Sequence, residues 1–140
     1  FFDIDNFKHV VDRHGHLLGS KVLKEVAQAL HHDLSPDDRI VRYGGDEFVI
    51  ILPRHNRSMA TGKVQRLMRT LNQTAFLQKE NINVHLTASF GVATYPHDAA
   101  NKHELLAEAD RGLFRSKAAG KNRLSIAGGT PREETTVLTE

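Results

Sequence analysis

A pair of glycines between two apolar runs is the feature that most constrains the fold. Residues 39–43 and 47–52 are rich in β-branched and aromatic side chains, and only Gly44, Gly45 and one acid separate them. The centre of a two-residue hairpin turn needs positive φ, which glycine adopts without steric cost. Pro53 follows the second run and cannot donate to a strand ladder. The pattern predicts an antiparallel β-hairpin over residues 39–52.

Apolar residues at helical spacing predict three helices. The first covers residues 20–32, with Ser20 as its expected N-cap. The second is expected to start at Ser58, and the third covers residues 101–118, where Phe114 is expected to face inward. Each helix would place one apolar stripe against a core.

Alternating apolar residues predict further strands at the start of the chain, over residues 82–93 and over residues 122–126. The order of elements is then β-α-β-β-α-β followed by α-β. This order predicts an α+β fold, a ferredoxin-like antiparallel sheet with helices packed on it and an extra C-terminal αβ unit.

The length of 140 residues suits one globular domain. We expect this domain over residues 1–126 and a disordered tail over residues 127–140, because the tail is polar and has no apolar period. The chain opens on Phe1-Phe2-Asp3-Ile4-Asp5, the pattern of the end of a buried strand, which suggests a piece of a longer protein.

Composition excludes several classes of function. The absence of cysteine excludes disulfides, thiolate metal sites and a cysteine nucleophile. No apolar run approaches the roughly 18 residues of a membrane span, so we expect a cytoplasmic domain without direct membrane contact. A net charge of +2 and 6% aromatic residues give weak support to nucleic-acid binding, and none is expected.

Acids and lysines form three candidate clusters. Asp3 and Asp5 stand two residues apart and would share one strand face, Asp46 and Glu47 follow the glycine turn, and a basic segment spans residues 117–123. Each cluster alone has an ordinary structural explanation, such as a strand end, a solvated turn or a favourable helix terminus. Together, carboxylates for a divalent cation and lysines for phosphates suit metal-assisted phosphoryl or nucleotidyl transfer.

The ordered motifs of the chain resemble the GGDEF domain of diguanylate cyclases. The resemblance covers about residues 1–126 and depends on Asp3-Ile4-Asp5-x-Phe7-Lys8, Gly15-His16-x-x-Gly19, Arg42-Tyr43-Gly44-Gly45-Asp46-Glu47-Phe48, Ser89-Phe90-Gly91-Val92-Ala93, Ala109-Asp110 and Lys117-x-x-Gly120-Lys121-Asn122-Arg123. The N-terminal helix of that family is missing. The resemblance implies that two copies face each other in an antiparallel dimer, each holding one GTP, and make a cyclic dinucleotide. It also implies a sensory or receiver domain upstream.

The resemblance assigns roles to particular residues. Asp3, the carbonyl of Ile4 and Asp46 match the ligands of Mg²⁺ or Mn²⁺. Asp46 also matches the general base. The remaining matches are catalytic or hold the nucleotide: Glu47 and Lys8 for catalysis, and Phe7, Lys8, Val11, Ser20, Lys117 and Lys121 for the nucleotide.

Two of these positions depart from the family pattern. Val11 stands where the family has Asn, and Ser20 stands where it has Asp, and both positions read the guanine edge. A subset of the family with Ser at this position is associated with 3′,3′-cyclic GMP-AMP. The hypotheses are therefore a cyclase that uses GTP alone, a cyclase that uses GTP with ATP, and a catalytically degenerate module that binds a nucleotide or pairs with a partner. An Asp replaced by Ser as an N-cap would have no structural cost.

The segment before the hairpin also departs from the family. Its inhibitory product site needs Arg-x-x-Asp, and Ser35-Pro36-Asp37-Asp38 keeps the Asp without the Arg. We expect no product inhibition through this motif.

Overall fold

A computed structural model describes residues 1–128 and the backbone of residues 135–137. The elements along the chain are β1 (Phe2–Ile4), α1 (Phe7–His14), α2 (His16–His31), β2 (Arg39–Gly44), β3 (Glu47–Ile51), α3 (Arg57–Gln73), a 3₁₀ turn (Gln78–Glu80), β4 (Ala88–Val92), α4 (Lys102–Ala118), β5 (Arg123–Ile126) and β6 (Thr135–Val137). Within this part of the chain, no helix is long and apolar enough to cross a bilayer.

The strands form one sheet in the order β2-β3-β1-β4-β5-β6. Strand β1 lies between β3 and β4 and is antiparallel to both, while β4 and β5 are parallel and joined through α4. A parallel pair requires such a crossover, and a helix supplies it. The arrangement confirms the α+β, ferredoxin-like fold with an added αβ unit, and the β2–β3 pairing confirms the hairpin.

The core lies on one face of the sheet. Phe2 is fully buried and stacks between Phe48 and Phe90, with ring centroids 4.9 and 4.8 Å away. Apolar stripes of α2 and α3 complete this core. Because side chains alternate along a strand, Phe2 and Ile4 point into the core while Asp3 points to the opposite face, where α4 packs. The alternation therefore places one carboxylate of β1 beside α4.

Two predicted helix starts are wrong. Helix α2 begins at His16, so Ser20 lies inside it, and Gly15 precedes it with φ of 89°. Helix α1 was missed because it has only eight residues, and its short apolar stripe of Phe7, Val10 and Val11 buries only Val10. Helix α3 begins at Arg57, after an Asn56 side chain that accepts from the Met59 amide at 2.8 Å.

Other local patterns were overridden by tertiary packing. The alternation at residues 82–86 forms no regular strand, and only Val84 makes an isolated bridge, with Phe76. Asn81 and Asn83 adopt left-handed backbone conformations that interrupt a ladder there. Phe114 was expected inside and is 74% exposed, because α4 turns its Gly112–Leu113 side toward the sheet.

Part of the predicted tail is ordered by pairing. Thr135–Val137 pair antiparallel with β5, and Ala127 is fully buried. The expectation of disorder is wrong for these residues, since β5 offers a free edge to a Thr-Thr-Val segment. Residues 129–134 and 138–140, also placed in the tail, lie outside the described residues.

Candidate active site

The site begins with Asp3, on the sheet face opposite the core. In the register of the sheet, Asp3 lies between Glu47 of β3 and Ser89 of β4. Its side chain is only 14% exposed, and its Oδ2 lies 3.2 Å from Nζ of Lys117 in the last turn of α4. A carboxylate held this close to an ammonium, at the end of a central strand, is one half of the predicted arrangement of acids and lysines.

Asp46 meets Asp3 from the hairpin turn. The amide of Ile4 donates to the carbonyl of Asp46 at 3.4 Å, which joins the turn to the end of β1. Burial is the main cause that raises the pKa of Asp3, and the hydrogen bond and negative charge of Asp46 add to it; with the opposing effect of Lys117 included, the pKa is raised to about 7. The structure thus brings together the two acids that the sequence placed 43 positions apart.

The pair of acids fits a divalent cation. Oδ1 of Asp3 is buried and has no hydrogen-bond partner among the described residues. Two nearby carboxylates of like charge favour a cation that neutralises both, and hard oxygen donors suit Mg²⁺. Ile4, whose carbonyl was the third predicted ligand, lies directly between Asp3 and Asp5. Residues 1–128 contain no cluster of three or more His, Cys, Asp or Glu side chains suited to a metal.

Close helix–strand packing places Lys117. A Cβ on Gly91 of β4 would lie 1.9 Å from the carbonyl oxygen of Ala109, and one on Gly112 would lie 3.0 Å from the Cα of Gly91. Only glycines permit α4 to approach β4 this closely. Ser116, fully buried, donates to the carbonyl of Phe90 at 2.7 Å. These contacts fix the C-terminal turn of α4 against β4, the neighbour of β1 in the sheet.

Lys121 reaches the start of α1 from the loop after α4. Its Nζ donates to the Asn6 side-chain oxygen at 2.8 Å. Asn6 is the residue before α1, whose first turn contains Phe7 and Lys8, half-buried and exposed respectively. The free amides of a helix N-terminus and these ammonium groups favour an anion in the same region.

Val11 and Ser20 are close in space through Gly19. A Cβ on Gly19 would lie 3.0 Å from Cγ2 of Val11 and 3.4 Å from the ring of Phe7. Val11 is half-buried, and Ser20 is exposed on α2. Ser20 lies within the helix, so a capping role does not explain a serine at this position.

Asp5 is the residue whose surroundings the sequence did not reveal. Strand β1 ends at Ile4, so the alternation that paired Asp3 with Asp5 stops before Asp5. Asp5 is 4% exposed, and its two carboxylate oxygens accept hydrogen bonds from Thr87, Ser89 and the amide of Asn122. Its donors lie more than 80 positions away, and no local signal indicates them.

A separate apolar cavity of about 370 Å³ lies away from these acids. It is lined on the sheet side by residues such as Phe1, Val49 and Ile51, and on the helix side by residues such as Leu105. Leu105, near the start of α4, therefore borders a cavity instead of a filled core.

Comparison with known proteins gives matches that cover most of the chain. A family model described as "Diguanylate cyclase, GGDEF domain" matches residues 1–123. The chain is 36% identical over 125 residues to diguanylate cyclase DgcP of Pseudomonas aeruginosa, covering 89% of this chain and 18% of that protein. The chain spans between 18% and 33% of the length of the first curated relatives it matches.

Solved structures show the same fold. The active GGEEF domain of a diguanylate cyclase from Vibrio cholerae superimposes with a TM-score of 0.82 at 27% identity, over 92% of this chain and 81% of that one. The GGDEF domain of DgcB from Caulobacter crescentus, in complex with c-di-GMP, gives 0.76 at 30% identity, over 90% and 73% of the two chains.

Proposed function

The chain belongs to the GGDEF family of diguanylate cyclases, and on that basis we propose that it condenses two nucleoside triphosphates into a 3′,3′-cyclic dinucleotide. The observation that carries the proposal is the meeting of Asp3, Asp46 and Lys117 on one face of the sheet, next to the start of α1. Paired acids beside an ammonium suit a nucleotide triphosphate that arrives with a divalent cation.

The lysines and the first turn of α1 hold the triphosphate in this proposal. Lys117 and Lys121 neutralise phosphate charge, and Lys8 and the backbone near Phe7 add donors from the helix N-terminus. Phosphoryl transfer depends mainly on positioning and on charge stabilisation, which these groups supply. A bound Mg²⁺ or Mn²⁺, held by Asp3, Asp46 and the carbonyl of Ile4, would neutralise phosphate oxygens and lower the pKa of the attacking hydroxyl.

Asp46 is the proposed general base, with Glu47 beside it. The 3′-oxygen of one nucleotide forms a bond to the α-phosphorus of the other, the bond from that phosphorus to pyrophosphate breaks, and the hydroxyl proton passes to Asp46. The same step in the opposite direction closes the ring and releases a second pyrophosphate. Because one domain presents one such site, we propose that a second copy supplies the other nucleotide.

The base specificity of the site depends on Val11 and Ser20. A carboxylate would accept from guanine N1–H and its amine together through two oxygens, whereas a serine hydroxyl has a single oxygen and can also donate to adenine N1. We therefore propose GTP as substrate, alone or together with ATP, with c-di-GMP or cyclic GMP-AMP as the product. The c-di-GMP complex of the DgcB domain supports the first product class in a related chain.

A second candidate function is a degenerate module that binds a nucleotide without cyclising it. The observation in its favour is Val11, whose apolar side chain packs on Gly19 and offers no hydrogen bond to a base. The cytoplasmic location and the upstream domain expected from the sequence stay predictions.

Product analysis separates the two functions. The chain is incubated with GTP, with ATP or with both, in the presence of Mg²⁺, and the products are separated by chromatography. A cyclic dinucleotide that disappears with Asp46→Ala supports the cyclase. Asp37→Asn, at an exposed residue paired with Arg54, is the control and should leave the product yield unchanged. Nucleotide binding without product from any mixture would favour the module.

A further inference from the structure

Asp5 connects three segments of the chain at the edge of the proposed site. It follows β1 directly and is 4% exposed. Oδ2 accepts from Oγ1 of Thr87 at 2.6 Å and from the amide of Asn122 at 2.9 Å, and Oδ1 accepts from Oγ of Ser89 at 2.6 Å. Because both oxygens are already bonded inside the protein, Asp5 is poorly placed to serve as a ligand for a cation.

The bond to Asn122 stabilises an unfavourable backbone. Lys121 and Asn122 have φ of 67° and 49°, in the left-handed region, which is unfavourable for a lysine and which asparagine tolerates better than most residues. Such conformations persist only where the surroundings hold them. A hydrogen bond from a backbone amide to an ionised carboxylate is stronger than a neutral one. Asp5 therefore provides a charged acceptor at the point where this turn is strained.

The turn determines where the Lys121 ammonium lies. Lys121 directly precedes Asn122, and its Nζ donates to the side chain of Asn6, the residue that directly follows Asp5. Two hydrogen bonds, one from the backbone and one from the side chain, thus join the α4–β5 loop to the β1–α1 junction. Removal of the Asp5 carboxylate would release one of them.

We propose that Asp5 is a positioning residue, which acts on the triphosphate only through Lys121. The inference rests on the proposed function, since it assumes that Lys121 contacts the nucleotide. A merely structural role, in which Asp5 holds β1 to β4 through Ser89 and Thr87, would change stability without a selective effect on nucleotide affinity.

A double-mutant cycle tests the coupling. KM for GTP and kcat are measured at saturating Mg²⁺ for the wild type, Asp5→Asn, Lys121→Ala and the double variant. We expect each single substitution to raise KM by about tenfold, the typical effect of losing one hydrogen bond to a charged group. The double variant should resemble Lys121→Ala, because residues that act as one unit are not additive.

Asp98→Asn is the matched control. Asp98 is also a carboxylate with a nearly buried side chain, 4% exposed, and it accepts from the Thr94 amide at 2.8 Å and from Arg57. It lies beyond the C-terminal end of β4, whereas Asp5 lies near the N-terminal end. Asp98→Asn should therefore leave KM within about twofold of the wild type, even if both substitutions lower stability.

Amide exchange in the unmutated chain tests the same inference if Asp5→Asn does not fold. A non-hydrolysable GTP analogue should slow hydrogen exchange at the Asn122 amide and leave the Thr94 amide unchanged, because only the first belongs to the turn that carries Lys121. Equal protection of both amides, or none at Asn122 when the analogue is bound, would overturn the inference.

Three kinetic results would also overturn it. The first is that Asp5→Asn and Lys121→Ala have additive effects on KM. The second is an unchanged KM in a folded Asp5→Asn variant. The third is that Asp5→Asn raises the Mg²⁺ concentration needed for a half-maximal rate. If the wild type binds no triphosphate at all, the proposed function fails and this inference fails with it. If the wild type binds and cyclises GTP but the cycle is additive, only the inference fails.

Discussion

Replacement of Gly91 by alanine should separate α4 from β4 and disable the site. The added Cβ would lie 1.9 Å from the carbonyl oxygen of Ala109 and 2.2 Å from the amide nitrogen of Leu113. Both are backbone atoms of a helix, so neither can rotate away as a side chain could. Ordinary contact needs about 3.5 Å, so the helix must shift by roughly 1.5 Å.

The shift has a cost in stability and a cost in geometry. Overpacking of a core typically costs about 1–3 kcal/mol, and a clash with helix backbone falls at the upper end, near 3 kcal/mol. In a domain of this size that loss lowers Tm by roughly 6–12 °C. The Lys117 ammonium, 3.2 Å from Asp3, moves with the helix, so the rate of product formation should fall even at temperatures where the variant is folded.

Thermal unfolding and product formation on the same samples check this reasoning. Gly62→Ala is the control, because Gly62 lies inside α3 with nothing within 4 Å of the added Cβ. That substitution should stabilise the fold by about 0.5–1 kcal/mol, as glycine-to-alanine changes in helices do. Unchanged stability and rate in Gly91→Ala would refute the argument that this contact sets the position of α4.

Two further predictions concern ionisable pairs. The folded-state pKa of Asp3, about 7, lies above the ordinary value, so without a divalent cation stability should fall as pH rises from about 4 to 7. Asp46→Asn should flatten that decline in chemical denaturation, and an unchanged pH profile would contradict the coupling. Lys63→Met should destabilise the fold at pH 7, because it leaves the Asp38 carboxylate, 1% exposed, without the ammonium 2.6 Å away. Burial raises the pKa of Asp38, but hydrogen bonds from Lys63 and the Ser35 amide lower it on balance, so the pair should stabilise the fold above about pH 4 and lose that effect below it. Denaturation should therefore show a larger difference in the free energy of unfolding between the wild type and Lys63→Met at pH 7 than at pH 3. Asp38 is already bonded to Lys63 and to the Ser35 amide. This supports the expectation that added c-di-GMP will not inhibit product formation through Ser35-Pro36-Asp37-Asp38.

Patterns that span a few residues were sufficient for much of the fold. The apolar runs on either side of Gly44-Gly45 predicted the hairpin correctly, because strand alternation is a local property. The expected positive φ at these glycines is wrong, since neither adopts it. The order of helices and strands then left few sheet topologies, and the ferredoxin-like one is present. The pairing of Asp3 with Asp46 was implied by the resemblance to the family, because no local pattern joins two acids 43 positions apart.

The rest depended on contacts between distant residues. Helix α1 buries one apolar side chain of its own, and its position follows from packing on α2 through Gly19. The Ser20 hydroxyl could have been an N-cap or an interior side chain, and only the structure distinguished them. The alternation at residues 82–86 is typical of a strand, but Asn81 and Asn83 adopt left-handed backbone conformations that prevent a regular strand there.

The sequence by itself determined which residue types are available for the candidate site: acids in the first residues and after the glycine pair, and lysines near the end of α4. Only the tertiary structure decided how those groups are held: Lys117 reaches Asp3 because two glycines let α4 approach β4, and Asp5 serves the turn at Asn122 instead of a cation. The physical reason is that spacing and alternation act over a few residues, whereas burial and hydrogen bonding of a side chain depend on donors and backbone brought together from across the chain.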